Sequence, residues 1–114
     1  MSRISTHVLD VSLGKPAKDV SVRLERRELS GDWFVLASSR TGADGRCAQL
    51  LPANESLNAG VYRLNFDTAS YFQAQEIATL YPLIEVAFQV LEGESEFHIP
   101  LLLGPYGFTT YRGS

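Results

Sequence analysis

The chain has one cysteine and two histidines in 114 residues. The single cysteine, Cys47, excludes an internal disulfide and fits a reducing compartment. A small buried apolar role accounts for it without nucleophilic chemistry. The histidines are far apart and no CxxC or HExxH spacing occurs, so no metal is expected. Neither a Walker loop nor GxGxxG is present, so no nucleotide cofactor is expected either. Positive charge is sparse: 10 Lys and Arg face 13 Asp and Glu, the net charge is −3, and no basic stripe forms. Nucleic acid is therefore not an expected partner, because phosphate contacts need clustered cations. A small anion would have to be held by one or two local cations. No stretch approaches the ~20 apolar residues of a membrane span, so no membrane partner is expected. The opening "MSRISTHVLD" lacks the apolar segment of a secretion signal. A cytoplasmic protein is the expectation, and the triplet Asn54-Glu55-Ser56 then carries no glycan. Repeats, low-complexity tracts and linkers are also absent. Residues 1–114 are read as one domain that buries roughly two-thirds of its extended surface.

What the chain does have is period-two alternation. In "VSVRLERRE", Val20, Val22 and Leu24 point one way while Ser21, Arg23 and Glu25 point the other. "ISTHVLDVS", "WFVLASS", "CAQLL", "GVYRLNF", "LIEVAFQV", "FHIPLLLG" and "YGFTTYR" are the other expected strands. "LGKPA" and "TGADGR" are expected turns, with Gly14, Gly42, Asp44 and Gly45 tolerating positive φ. "TASYFQAQE" has helix-like spacing, with Thr68 as its expected cap. The architecture is all-β: a two-sheet sandwich of eight strands with one short helix. "IPLLL" is apolar on both faces, which calls for a second cover, such as another subunit. Pro100 cannot donate to a ladder, so irregular pairing is expected beside it.

His7 shares the parity of Ser5, Leu9 and Val11, and His98 that of Pro100 and Leu102. Each histidine alone fits a satisfied structural role among apolar neighbours. Arg46 alone fits a surface arginine at a strand start, and Ser114 a frayed terminus. Their combination with an apolar, aromatic run that continues into "YRGS" is what stands out. "STHVLD", "GKPA", "TGADGR" and "FHIPLLLGPYGFTTYRGS" together resemble the transthyretin-like family, and specifically its enzyme branch, the 5-hydroxyisourate hydrolases. The matching segments run from residue 5 to residue 114 in family order. "YRGS" is the most specific, because it separates the hydrolases from the hormone carriers.

The resemblance implies a transthyretin-like sandwich, a homotetramer with its sites in a channel between dimers, and no cofactor. It implies catalytic roles for His7, Arg46, His98 and Ser114, with His7, Arg46 and Tyr111 binding substrate and Arg112 and Gly113 supporting. The implied reaction is hydrolysis of a ring amide of 5-hydroxyisourate, a small-molecule product of urate oxidation. In the implied mechanism His98 and Ser114 act as a hydrogen-bonded pair on water, His7 orients substrate or relays a proton, and Arg46 stabilises the oxyanion. Phe97 and Gly104 depart from the usual Tyr and Ser. Two rival readings remain: a carrier binding an aromatic ligand without turnover, and an immunoglobulin-like interaction module.

Overall fold

Alternation along the chain becomes two sheets whose apolar faces meet. The computed structural model describes residues 2–114. Its elements run β1 (Arg3–Asp10), β2 (Lys15–Pro16), β3 (Ser21–Arg27), β4 (Trp33–Arg40), β5 (Arg46–Cys47), β6 (Gly60–Asp67), α1 (Thr68–Gln73), β7 (Ile84–Val90), β8 (Glu96–Gly104) and β9 (Gly107–Thr110). One sheet has the order β2-β1-β8-β9, with β5 also pairing β1; the other is β4-β3-β6-β7. The β1–β8 pairing is parallel and the other pairings are antiparallel. Val20, Val22 and Leu24 meet Ile4, Val8, Leu101 and Leu103 in the core, all without solvent contact. No helix among the described residues is long and apolar enough to cross a membrane.

The sandwich agrees with the alternation, but its strand count does not. Among the described residues there are nine strands rather than eight. Lys15–Pro16, inside the expected "LGKPA" turn, pairs back onto Asp10 and Leu9. The turn closes earlier, where the Gly14 amide donates to the Asp10 carbonyl at 2.8 Å. The fourth expected strand contracts to Arg46–Cys47, and Leu50 returns to the Ile4 carbonyl by a single 2.8 Å bond.

The helix cap also moves, to Asp67, whose side chain accepts from the Ser70 amide. Thr68 is the first helical residue, and its buried hydroxyl donates to the Tyr81 carbonyl instead. Tyr71 ties α1 to β1 by donating to the Asp10 carboxylate at 2.7 Å. Burial pushes the Asp10 pKa up, but hydrogen bonds from Ser12, Tyr71 and Leu13 outweigh it and hold the group below its ordinary value. Glu25, expected on the solvated face, is buried there under Arg63 and Asn65, both of which donate to its carboxylate.

The irregularity expected at Pro100 falls on one side only. Pairing with β1 is continuous from Glu96 to Leu103. Pairing with β9 stops at Leu101–Thr110 and resumes as an isolated bridge between His98 and Gly113. Pro100 has no N–H to offer across that gap. Its carbonyl instead accepts from the Thr110 hydroxyl at 2.8 Å.

Candidate active site

The pleat of β1 turns Ile4 and Val8 into the core, so Arg3, Ser5, His7 and Leu9 take the opposite face. In β8, Phe97, Ile99, Leu101 and Leu103 fill the core, leaving His98, Pro100 and Leu102 on that same outer face. Parallel register sets Ser5 beside His98 and His7 beside Pro100. Antiparallel pairing with β5 sets Arg46 beside His7 on the other flank. Both histidines and the arginine thus share one face of one sheet, although they come from three distant parts of the chain.

Local chemistry fixes two of these positions. Gly45, at φ +78°, lets the chain turn into Arg46. A Cβ there would overlap the Val8 carbonyl oxygen. The Asp44 carboxylate accepts from the Arg46 amide at 3.0 Å. At the other end, the Gly113 amide donates to the His98 carbonyl at 2.7 Å. A Cβ on Gly113 would lie 2.6 Å from His98 Cδ2, so only glycine lets the segment lie against this ring. Arg112 is held three ways: to Glu94 at 3.0 Å, to the Glu96 carbonyl at 3.2 Å, and 4.4 Å over the Phe97 ring.

These elements form an open cavity of about 390 Å³, lined by Arg3, Ser5, Arg46, His98, Arg112, Gly113 and Ser114 among others. The His98 ring is partly buried, and its Nδ1 lies 2.8 Å from Ser5 Oγ. Burial lowers its pKa most, and the charges of Arg46, His7 and Arg3 lower it further. These effects favour the neutral ring. Cys47 is buried behind this face, and burial pushes its thiol pKa up, away from nucleophilic use. Among the described residues no three His, Cys, Asp or Glu side chains approach closely enough to share a metal ion.

Arg46, His98 and Ser114 thus meet in one cavity, joined by Arg112 and Gly113. His7 stands next to Arg46 on the same face but outside the cavity wall. Tyr111 lies apart from this cavity. It is 55% exposed and lines a separate, apolar pocket with Val86, Phe88 and Ile99. It falls in the ladder gap between Thr110 and Gly113, where alternation no longer fixes its direction. Among the described residues the expected His98–Ser114 hydrogen bond is not formed, and the Nδ1 of His98 meets the Ser5 hydroxyl. Sequence reasoning had passed over Ser5. Its signal was present: Ser5 lies two residues before His7, on the parity that faces the histidines. Arg3, on the same parity, was passed over as well.

Several comparisons bear on this arrangement. Residues 4–113 match the profile described as the HIUase/Transthyretin family. A 5-hydroxyisourate hydrolase of Mus musculus is 42% identical over 114 residues, covering 99% of this chain and 96% of that protein. The solved structure of Klebsiella pneumoniae 5-hydroxyisourate hydrolase superposes with a TM-score of 0.86 at 38% identity, covering 100% of both chains. Sea bream transthyretin in complex with thyroxine superposes with a TM-score of 0.90 at 30% identity, covering 97% of this chain and 94% of the other. The backbone is common to the hydrolase and to the thyroxine-bound transthyretin, so side chains must separate them. On the profile match and these identities, the chain belongs to the HIUase/Transthyretin family.

Proposed function

We propose that the protein is a 5-hydroxyisourate hydrolase, opening one ring amide to give 2-oxo-4-hydroxy-4-carboxy-5-ureidoimidazoline. One observation carries this reading: a partly buried histidine, His98, lines a polar cavity together with the guanidinium of Arg46, and burial and nearby positive charge hold its pKa down. A carrier of an apolar aromatic ligand has no need of that pair.

Water must attack the amide carbonyl carbon, lose a proton, and leave negative charge on the carbonyl oxygen. In the tautomer that donates Nδ1–H to Ser5 Oγ, 2.8 Å away, His98 presents the lone pair of Nε2 to that water. Arg46 stabilises the oxygen as charge develops. The C–N bond then breaks, and the leaving nitrogen takes its proton from the imidazolium of His98 or by relay through His7. Ser114 orients the water from the cavity wall. Arg112 and Gly113 hold the terminal segment in place, and Tyr111 has no substrate-binding role in this scheme. A positioned base contributes about 10²–10⁴-fold, and an electrostatic donor roughly another 10²–10³.

The same reading takes the active form as a homotetramer in the cytoplasm. Leu9 and Leu102 are partly buried on the site face, and Val11 and Leu13, in the turn that follows β1, are 58% and 51% exposed. That apolar strip calls for a second subunit. The test is to remove residues 111–114 and follow the ultraviolet decay of fresh 5-hydroxyisourate. Loss of acceleration with the fold retained supports the proposal. Full activity without those residues rejects it.

A further inference from the structure

The cavity holds three arginines, and they are not equivalent. Arg112 is neutralised by Glu94. Arg46 has no carboxylate within 4.0 Å among the described residues. Arg3 has none either, although Glu96 is its strand neighbour and borders the same cavity. The Arg3 side chain is nonetheless placed: its Nε donates to the Ala48 carbonyl at 3.0 Å. That bond lays the stem across from β1 toward β5, over the site face. Among the described residues the two terminal nitrogens of its guanidinium have no hydrogen-bond partner, so a planar fork of donors is left for a ligand.

Spacing sets what such a ligand would be. Arg3, Ser5 and His7 succeed one another on one face of β1, with Arg46 opposite His7. Two residues of strand rise are about 6.8 Å, so Arg3 stands about 14 Å along β1 from the level of His7 and Arg46, with His98 between them at Ser5. A small planar heterocycle over His98 would lie between these two guanidinium groups, which line the same cavity. A chain of net charge −3 that keeps two unpaired cations around one cavity concentrates positive potential there.

We propose that Arg3 is a second anion-binding group of the cavity, working opposite Arg46 to capture a planar heterocyclic anion and to hold the carboxylate it acquires on ring opening. The inference rests on the hydrolase reading for its natural ligand, but its chemistry is testable without turnover. Arg3 binds and orients. It takes no proton and forms no bond.

Orotate, a stable planar ring carboxylate, serves as the probe, and uracil as its neutral counterpart. Calorimetry on the folded wild-type protein should show orotate bound and uracil bound more weakly. Arg3→Gln should weaken orotate about tenfold and leave uracil unchanged, and Arg3→Lys, which keeps charge but loses the fork, should fall between. With 5-hydroxyisourate, Arg3→Gln should raise KM about tenfold with kcat changed less than twofold. It should also flatten the decline of kcat/KM with added salt. Orotate that fails to bind the wild type, or binds Arg3→Gln equally well, overturns the inference even if hydrolysis proceeds normally. Arg3-dependent orotate binding without hydrolysis overturns the proposed function and leaves the anion site standing.

Discussion

At the scale of single residues, the site depends on how His98 is held and charged. Its neighbours across the sheet face are Arg46, His7 and Arg3, with Arg112 and Glu96 at the cavity wall. Burial and the first three charges put its pKa below the ordinary 6.5. The imidazole therefore remains a base as pH falls from 7 past that value. The expected profile of kcat/KM is level down to about pH 6.5 and falls only below it. Arg46→Gln should move that fall upward as well as lowering the rate. The same shift has a stability consequence. The unfolded chain binds this proton at higher pH than the folded one. The contribution of His98 is thus complete above 6.5 and is lost as pH drops through the folded value. Ser5→Ala should leave the fold intact and lower kcat by roughly tenfold to a hundredfold, since a ~1 Å misplacement costs about 10². Ser5→Thr, which keeps the hydroxyl, should recover most of that loss. Gly113→Ala should act on the same ring by steric displacement, with a loss of about 10² in kcat.

At the scale of elements, two glycine turns and a proline gap aim the functional groups. Gly45→Ala meets both a positive φ and a backbone oxygen, so it should cost about 1–3 kcal/mol in chemical denaturation. Tyr71→Phe removes the link from α1 to β1 and leaves one oxygen of the buried Asp10 with a partner fewer. About 1–3 kcal/mol should be lost. Much of this scale was legible in the sequence. Period-two parity put His7 and His98 on the faces they occupy, because alternation is a property of the strand alone. What parity could not supply was register. That Ser5 rather than Ser114 meets the ring of His98 follows from the parallel β1–β8 pairing, which links positions 93 residues apart. The side on which Tyr111 lies was not legible for a related reason: Pro100 interrupts the ladder that would have fixed it. The burial of Glu25 was equally out of reach, since its cover, Arg63, comes from a strand 38 residues away.

At the scale of the whole molecule, one sandwich serves two kinds of relative, a hydrolase and a thyroxine-bound transthyretin. Backbone similarity does not choose between them; the proposed function rests on the cavity. A polar cleft with a histidine held toward its neutral form and unpaired guanidinium groups suits an anionic heterocycle undergoing hydrolysis more than an apolar ligand in transit. The apolar strip from Leu9 to Leu13 should be covered in solution, so sedimentation should give a mass near four times 12.6 kDa. Placing a charge there, as in Leu102→Lys, should lower that mass. The most direct measurement follows the absorbance of freshly prepared 5-hydroxyisourate at neutral pH with buffer, wild-type protein and His98→Asn in parallel. The account predicts rapid decay with the wild type and a rate at least about 10²-fold lower with His98→Asn. Wild-type decay no faster than buffer, or an undiminished rate in His98→Asn, would contradict it.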